Sequence, residues 1–198
     1  MIYKIAVLAS TRGTVLQAIM GELEAGEMPG IELVGVLSDK NCGAIDRAAE
    51  QGLPNFTFDA KGKTREEFDS ELLLKLEELE ADLIVMVGYM RIVSKLFIDK
   101  YRGRILNVHP SLLPAFPGGV DGDVHEAVLA AGVEKTGCTI HLVDENLDAG
   151  EILMQMECSV DSDETTESLK AKVQDLECKA MPEIIRQFAD GRLKEGIE

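Results

Sequence analysis

Apolar positions along the chain follow two alternating rhythms. Lys4-Ile5-Ala6-Val7-Leu8-Ala9 is a short, almost continuous apolar run, the pattern of a strand covered on both faces in a parallel sheet. After a polar loop, Ser10-Thr11-Arg12-Gly13-Thr14, the spacing of Val15, Leu16, Ile19, Met20 and Leu23 switches to one face of a helix. Gly26 and Pro29-Gly30 stop it. The alternation repeats: Ile31–Leu37 reads as a strand, 41–51 as a helix closed by Gly52 and Pro54, and 55–58 as a short strand. Next, 65–79 reads as a helix with Phe68, Leu72, Leu76 and Leu79 inward, and Leu83–Val87 as a buried strand.

This β-α-β-α rhythm predicts an α/β fold, a Rossmann-like, doubly wound and mostly parallel sheet with right-handed crossovers. The second half changes character. Residues 104–109 read as a strand, 110–123 as a Pro/Gly-rich loop and 125–131 as a short helix. Thr136–Val143 and Ile152–Val160 are two strands joined by 144–151, suited to antiparallel pairing. A last helix is predicted over 166–190, with Leu169, Val173, Leu176, Ala180, Ile184 and Phe188 inward. No repeat or linker interrupts the pattern. A single domain over 1–198 is expected, with a parallel βα half at 1–100 and a strand, loop and C-terminal helix at 101–198.

Composition narrows the function classes. The net charge of −16 argues against a general basic surface for nucleic acid, because phosphates are neutralised by clustered Lys and Arg. If the ligands are anionic, a few specific cations or backbone amides must hold them. No apolar run approaches the ~20 residues of a membrane span, and no leader pattern stands out at the N-terminus. The four cysteines, Cys42, Cys138, Cys158 and Cys178, are scattered without a C-x-x-C pair, so reduced thiols are expected rather than a disulfide or zinc framework. A cytoplasmic protein acting on small molecules is the expectation.

Ligands of doubly wound sheets sit beyond the carboxyl ends of the strands, which points to the loops after Ala9, Val87 and Val108. Asn107-Val108-His109-Pro110 is the sharpest feature there. Alternation puts Asn107 and His109 on one side of the strand, and Pro110 ends it. An amide and an imidazole so placed suit the oxyanion of a tetrahedral carbon; two polar residues at a strand end is the plainer alternative. Asp148, in Asn146-Leu147-Asp148-Ala149-Gly150, suits orienting His109 or accepting a proton, against ordinary Asp-Gly turn chemistry. His125 reads as a helix start, and His141, in an apolar strand, as a satisfied core histidine. No histidine spacing carries a metal signature. The Ser10–Thr14 loop suits a phosphate through its amides and the helix start, against a plain N-cap by Ser10 or Thr14. Arg91 and Arg65 are candidate anion contacts.

Four segments in order, Gly88-Tyr89-Met90-Arg91-Ile92, Asn107-Val108-His109-Pro110-Ser111-Leu112-Leu113-Pro114, Phe116-Pro117-Gly118 and Leu147-Asp148-Ala149-Gly150, resemble the folate-dependent formyltransferases, and the run N-x-H-P-S-L-L-P is highly specific to them. The likeness spans nearly the whole chain and is strongest to the branch acting on a phosphoribosylated glycinamide in purine synthesis. It implies 10-formyltetrahydrofolate as co-substrate, no required metal, and Asn107, His109 and Asp148 as the catalytic set. It implies that Met90, Arg91, Ile92 and Val93, with Asn107 and Arg65, bind the folate. It further implies that Thr11, Arg12, Gly13, Thr14 and Val15 hold a ribose phosphate, with Pro110, Gln174 and Glu177 beside the same substrate. The expected assembly is a monomer or homodimer, without nucleic-acid or membrane partners.

Two places depart from the family pattern. Its phosphate loop is Ser-Gly-x-Gly-Ser-Asn, where this chain has Ser10-Thr11-Arg12-Gly13-Thr14-Val15, and the Gly118–Val124 loop is longer. Both lie on the amine side. Formyl transfer to a different acceptor, or formyl-folate hydrolysis, is therefore kept as a second reading. A non-catalytic nucleotide- or phosphate-binding domain is a third, needing the Ser10–Thr14 loop but not Asn107, His109 and Asp148.

Overall fold

A computed structural model describes residues 2–119 and 121–193. Seven strands form one sheet: β1 (Tyr3–Leu8), β2 (Ile31–Ser38), β3 (Asn55–Thr57), β4 (Leu83–Met86), β5 (Ile105–His109), β6 (Lys135–Leu142) and β7 (Ile152–Ser159). Their spatial order is β3-β2-β1-β4-β5-β6-β7. The first five pair in parallel, β5 with β6 and β6 with β7 antiparallel, as the change of pattern after residue 100 predicts. The order reverses between β1 and β4, and a crevice opens at such a switch point beyond the strand ends.

The near-continuous apolar strands are buried on both sides for a visible reason. Ile5, Val7, Leu83 and Val85 face a core completed by α1 (Thr14–Glu24), α2 (Gly43–Glu50) and α6 (Thr166–Ala189). Ala6, Leu8 and Ile84, one residue out of phase, face Phe68, Leu72 and Leu76 of α3 (Arg65–Glu78) and Phe97 of α4 (Lys95–Lys100). Period-two alternation thus feeds two cores from one strand. Both ends of the N-terminal turn of α3 are closed by a capping box, Thr64 Oγ1 accepting from Glu67 N at 3.2 Å while Thr64 N donates to Glu67 Oε2 at 2.8 Å.

Three sequence expectations change. A six-residue helix, α4, lies where none was predicted; Ser94 caps it, Oγ accepting from Phe97 N at 3.3 Å, and it is too short to show a period. The helix α5 (Asp121–Ala131) begins four residues before His125, so the Pro/Gly loop is shorter than 110–123. His125 is fully buried within that helix rather than starting it. Of the longer Gly118–Val124 loop, Val120 lies outside the described residues.

Two glycines test the packing in opposite directions. A Cβ on Gly137 in β6 would sit 1.8 Å from the Met156 carbonyl oxygen across the β6–β7 ladder, whereas one on Gly21 in α1 meets nothing within 4 Å. Gly137→Ala is expected to destabilise by at least the ~1–3 kcal/mol of core overpacking. Gly21→Ala should stabilise by about 0.5–1 kcal/mol through helix propensity and chain entropy. Urea melts of the two variants check the opposite signs.

Candidate active site

Three strand ends supply the site. At the end of β1, Ser10 ties three segments together: its Oγ donates to Asp39 Oδ1 at 2.7 Å and accepts from Met90 N at 3.1 Å, and its N–H donates to Gly88 O at 3.0 Å. Ser10 is therefore a clamp, not an N-cap. The N-cap of α1 is Gly13, left-handed at φ 75° and without a capping side chain, so Thr14 does not cap it either. Only glycine fits, because a Cβ there would lie 2.8 Å from Ala44 Cα.

Beyond β4 the chain turns at Gly88 and runs through Met90, Arg91 and Ile92 to buried Val93. The Arg91 guanidinium lies over the Phe68 ring, 4.4 Å from its centroid. Buried Asp69, on α3, takes the Ser94 N–H and so docks this segment onto the helix. Burial pushes the Asp69 carboxyl up, against the pull of Ser94, Arg91 and Arg65.

The end of β5 carries the chemistry. His109 is buried; its Nε2 donates to Phe116 O at 2.8 Å, since a carbonyl only accepts, and its Nδ1 lies 3.3 Å from Asp148 Oδ2. The Ser-Leu-Leu-Pro run makes this possible. Ser111 Oγ donates to Ala115 O, Leu113 N to Thr139 Oγ1, and Gln155 Nε2 to Leu113 O, folding the run against β6 and β7 and returning Phe116 to His109.

Asp148 has a left-handed backbone, φ 53°, and a buried side chain. Its Oδ2 also accepts from Gly118 N at 2.8 Å, and its Oδ1 lies 3.6 Å from His141 Nε2. Burial alone would raise this carboxyl; the His141 interaction, the Gly118 N–H and the two imidazoles outweigh it and hold it below the ordinary 3.8. It is a carboxylate at neutral pH, built into the wall rather than a simple turn residue.

His141 is the functional neighbour that sequence reasoning missed. Its Nδ1 donates to Leu142 O at 2.8 Å, and its Nε2 lies 3.1 Å from Asn107 Nδ2. That contact leaves the second N–H of the Asn107 amide for another partner. The two residues are paired across β5 and β6. A core histidine and this one look alike in sequence; only the strand register separates them.

A cavity of about 1000 Å³ joins these parts. Asn107, His109, Asp148 and His141 line it. So do Thr11, Arg12, Gly13, Thr14 and Val15, although the Val15 side chain is largely core. Pro110, Gln174 and Glu177 line it too, as do Arg65, Met90, Arg91, Ile92 and Val93. Every residue to which the family resemblance gives a catalytic or binding role lines this one space. Because α1 and α6 cover one face of the sheet and α3 and α4 the other, the cavity crosses the carboxyl edge from face to face. Arg12, Arg65, Arg91, Lys95 and Lys170 give it local cations in a chain of net charge −16. Among the described residues no cluster of ligating side chains suited to a metal ion is found, and no helix is long and apolar enough to cross a membrane.

Residues 3–185 match the formyl transferase family, and the chain belongs to it. Among individual proteins it is similar to the phosphoribosylglycinamide formyltransferase of Escherichia coli K12, 35% identical over 191 residues that cover 96% of this chain and 89% of the relative. It is also 40% identical, over 98% of its length, to the trifunctional purine biosynthetic protein adenosine-3 of Gallus gallus, of which it spans 19%. The fold is that of glycinamide ribonucleotide transformylase 1 from Symbiobacterium toebii, with a TM-score of 0.91, 37% identity, and coverage of 96% of this chain and 89% of that one.

The lowered Asp148 value has a defined consequence for pH. A group with a depressed folded-state pKa contributes stability above its unfolded pKa and loses it as pH falls through the folded one. The stability advantage of the wild type over Asp148→Asn should therefore shrink on acidification below about pH 4, the direction set by the lowered carboxyl. Denaturant melts from pH 3 to pH 5 read this; an advantage that grows on acidification contradicts the assigned shift.

Proposed function

We propose that this chain transfers the formyl group of 10-formyltetrahydrofolate to the amine of 5-phosphoribosylglycinamide, a step of purine biosynthesis, in the cytoplasm. The observation that carries the reading is the edge of β5, where the His109 Nδ1–Asp148 pair and the His141-held Asn107 amide line the same cavity. The cavity walls suit the two substrates separately. On the α3 and α4 side, exposed Met90 and Ile92 offer an apolar surface to a pterin, and Arg65 and Arg91 suit a glutamate carboxylate. On the α1 and α6 side, the Thr11–Val15 loop opens a helix whose free N–H groups suit a phosphate.

The chemistry follows from these groups. The neutral amine attacks the formyl carbon, forming a C–N bond while the carbonyl π pair moves to oxygen. The second N–H of Asn107 donates to that oxyanion, and the positive charge of a His109 ring protonated on both nitrogens stabilises it. Asp148 stabilises a His109 ring protonated on both nitrogens, since both then face oxygen acceptors, and accepts the proton that the attacking amine sheds. Collapse breaks the bond from carbon to N10 of the folate, and the proton leaves with that nitrogen. The formyl group arrives already activated, so neither a covalent enzyme intermediate nor a metal is needed.

Asp148→Asn is expected to lower kcat by about 10²–10⁴-fold, the range of a lost acid–base group. Folate affinity should stay within about twofold. Deformylation of a 10-formyl folate, followed with a panel of phosphorylated amines, checks both parts. Turnover without dependence on 5-phosphoribosylglycinamide refutes the acceptor, and full turnover by Asp148→Asn refutes the role of the carboxylate.

A further inference from the structure

The phosphate loop departs from its family pattern at Thr11, Thr14 and Val15, and Val15 is buried in the core. Its backbone shows how it still suits an anion. Four consecutive carbonyls are taken up by neighbouring groups. Thr11 O accepts from Ala44 N at 3.1 Å, and Arg12 O from Arg47 Nε at 2.8 Å. Gly13 O accepts from Gln17 N at 2.9 Å, and Thr14 O from the Cys178 thiol at 3.8 Å. A loop whose carbonyls are held by the scaffold presents its N–H groups to the cavity, and partial negative charges are kept from a dianion.

The Arg47 side chain spans the junction. While Nε holds the Arg12 carbonyl, Nη1 donates to Gln17 Oε1 at 2.9 Å. Its guanidinium therefore ties the loop on one side of left-handed Gly13 to the first turn of α1 on the other. Gly13 and Gly43 bring α2 close enough for this: a Cβ on either would meet backbone atoms within 3 Å. Arg47 does not line the cavity, whereas Arg12 does.

We propose that Arg47 is a positioning residue that sets specificity for the phosphorylated amine, acting through the carbonyl of Arg12 and the side chain of Gln17. The inference rests on the reading of this loop as the phosphate subsite. Removing the guanidinium frees the Arg12 carbonyl to turn toward the cavity, which weakens phosphate binding and leaves the formyl-transfer groups in place.

The test is a split in kinetic constants. For Arg47→Ala, KM for 5-phosphoribosylglycinamide should rise about tenfold or more, which is about 1.4 kcal/mol. KM for the formyl folate should stay within twofold, and kcat within threefold. Competitive inhibition by inorganic phosphate should weaken in parallel, and Arg47→Lys should recover part of the loss. Gln17→Leu, which keeps the arginine and removes one of its anchors, should show a smaller shift of the same kind and serves if Arg47→Ala does not fold. A folded Arg47→Ala or Gln17→Leu with unchanged amine KM and phosphate inhibition overturns the proposal, as does an equal loss on both substrates. Titration calorimetry with inorganic phosphate separates the two readings. If the wild type binds phosphate and Arg47→Ala binds it more weakly, but glycinamide ribonucleotide is not turned over, the acceptor assignment fails and the role of Arg47 stands.

Discussion

One buried carboxylate organises the reacting edge of this protein. Asp148 faces His109 and His141 and accepts from the Gly118 backbone, so it joins β5, β6 and two loops that are far apart in sequence. A carboxylate with so little exposure is costly unless its lone pairs are satisfied. Here that need does structural work, because each partner that satisfies the charge is also a part of the cavity. His109 is held through Nδ1, His141 supports the amide of Asn107, and the Gly118 N–H closes the Pro/Gly loop over them. The left-handed backbone at Asp148 belongs to the same arrangement, as strained or rare conformations often gather where side chains must be aimed.

The strongly acidic chain and the anionic substrates proposed for it are reconciled by the same locality. Guanidinium and ammonium groups are placed at the cavity walls, and other charges are spent in exposed ion pairs such as Lys135 with Glu157 and Lys172 with Asp161. Such exposed pairs contribute little to stability. Net charge therefore says little about the potential inside the crevice, where Arg65 and Arg91 on one wall and the start of α1 on the other act at short range.

Much of this was legible in the chain before any coordinates. The strands Ile5–Leu8 and Leu83–Met86 announce themselves because each must be apolar on two faces, and α1 and α6 because their inward positions recur with a helical period. Position alone left Asn107 and His109 against a plain strand end and Asp148 against a turn, and the family resemblance grouped the three, which the structure brings to one cavity. What escaped has physical reasons. The six residues of α4 hold fewer than two turns, too few for a period, and its cap depends on Asp69 from another helix. The true N-cap at Gly13 is set by the proximity of Ala44, a tertiary contact. His141 looked like a core residue because it is one; its second role arises only from cross-strand pairing with Asn107.

The docking of α6 on α1 also bears on how the molecule comes to exist. Cys178 reaches Thr14, and Arg186 pairs with Glu22, each across a sequence separation of 164. Ile184, Ile185 and Phe188 cover the same sheet face as Leu16 and Ile19. During synthesis the parallel half emerges first, with α1 and α2 on that face, and the part of it covered by α6 stays open until α6 itself has left the ribosome. Late, long-range closure of this kind is slow and leaves sticky intermediates. Docking of α6 is thus the step that completes the crevice wall beside Thr14.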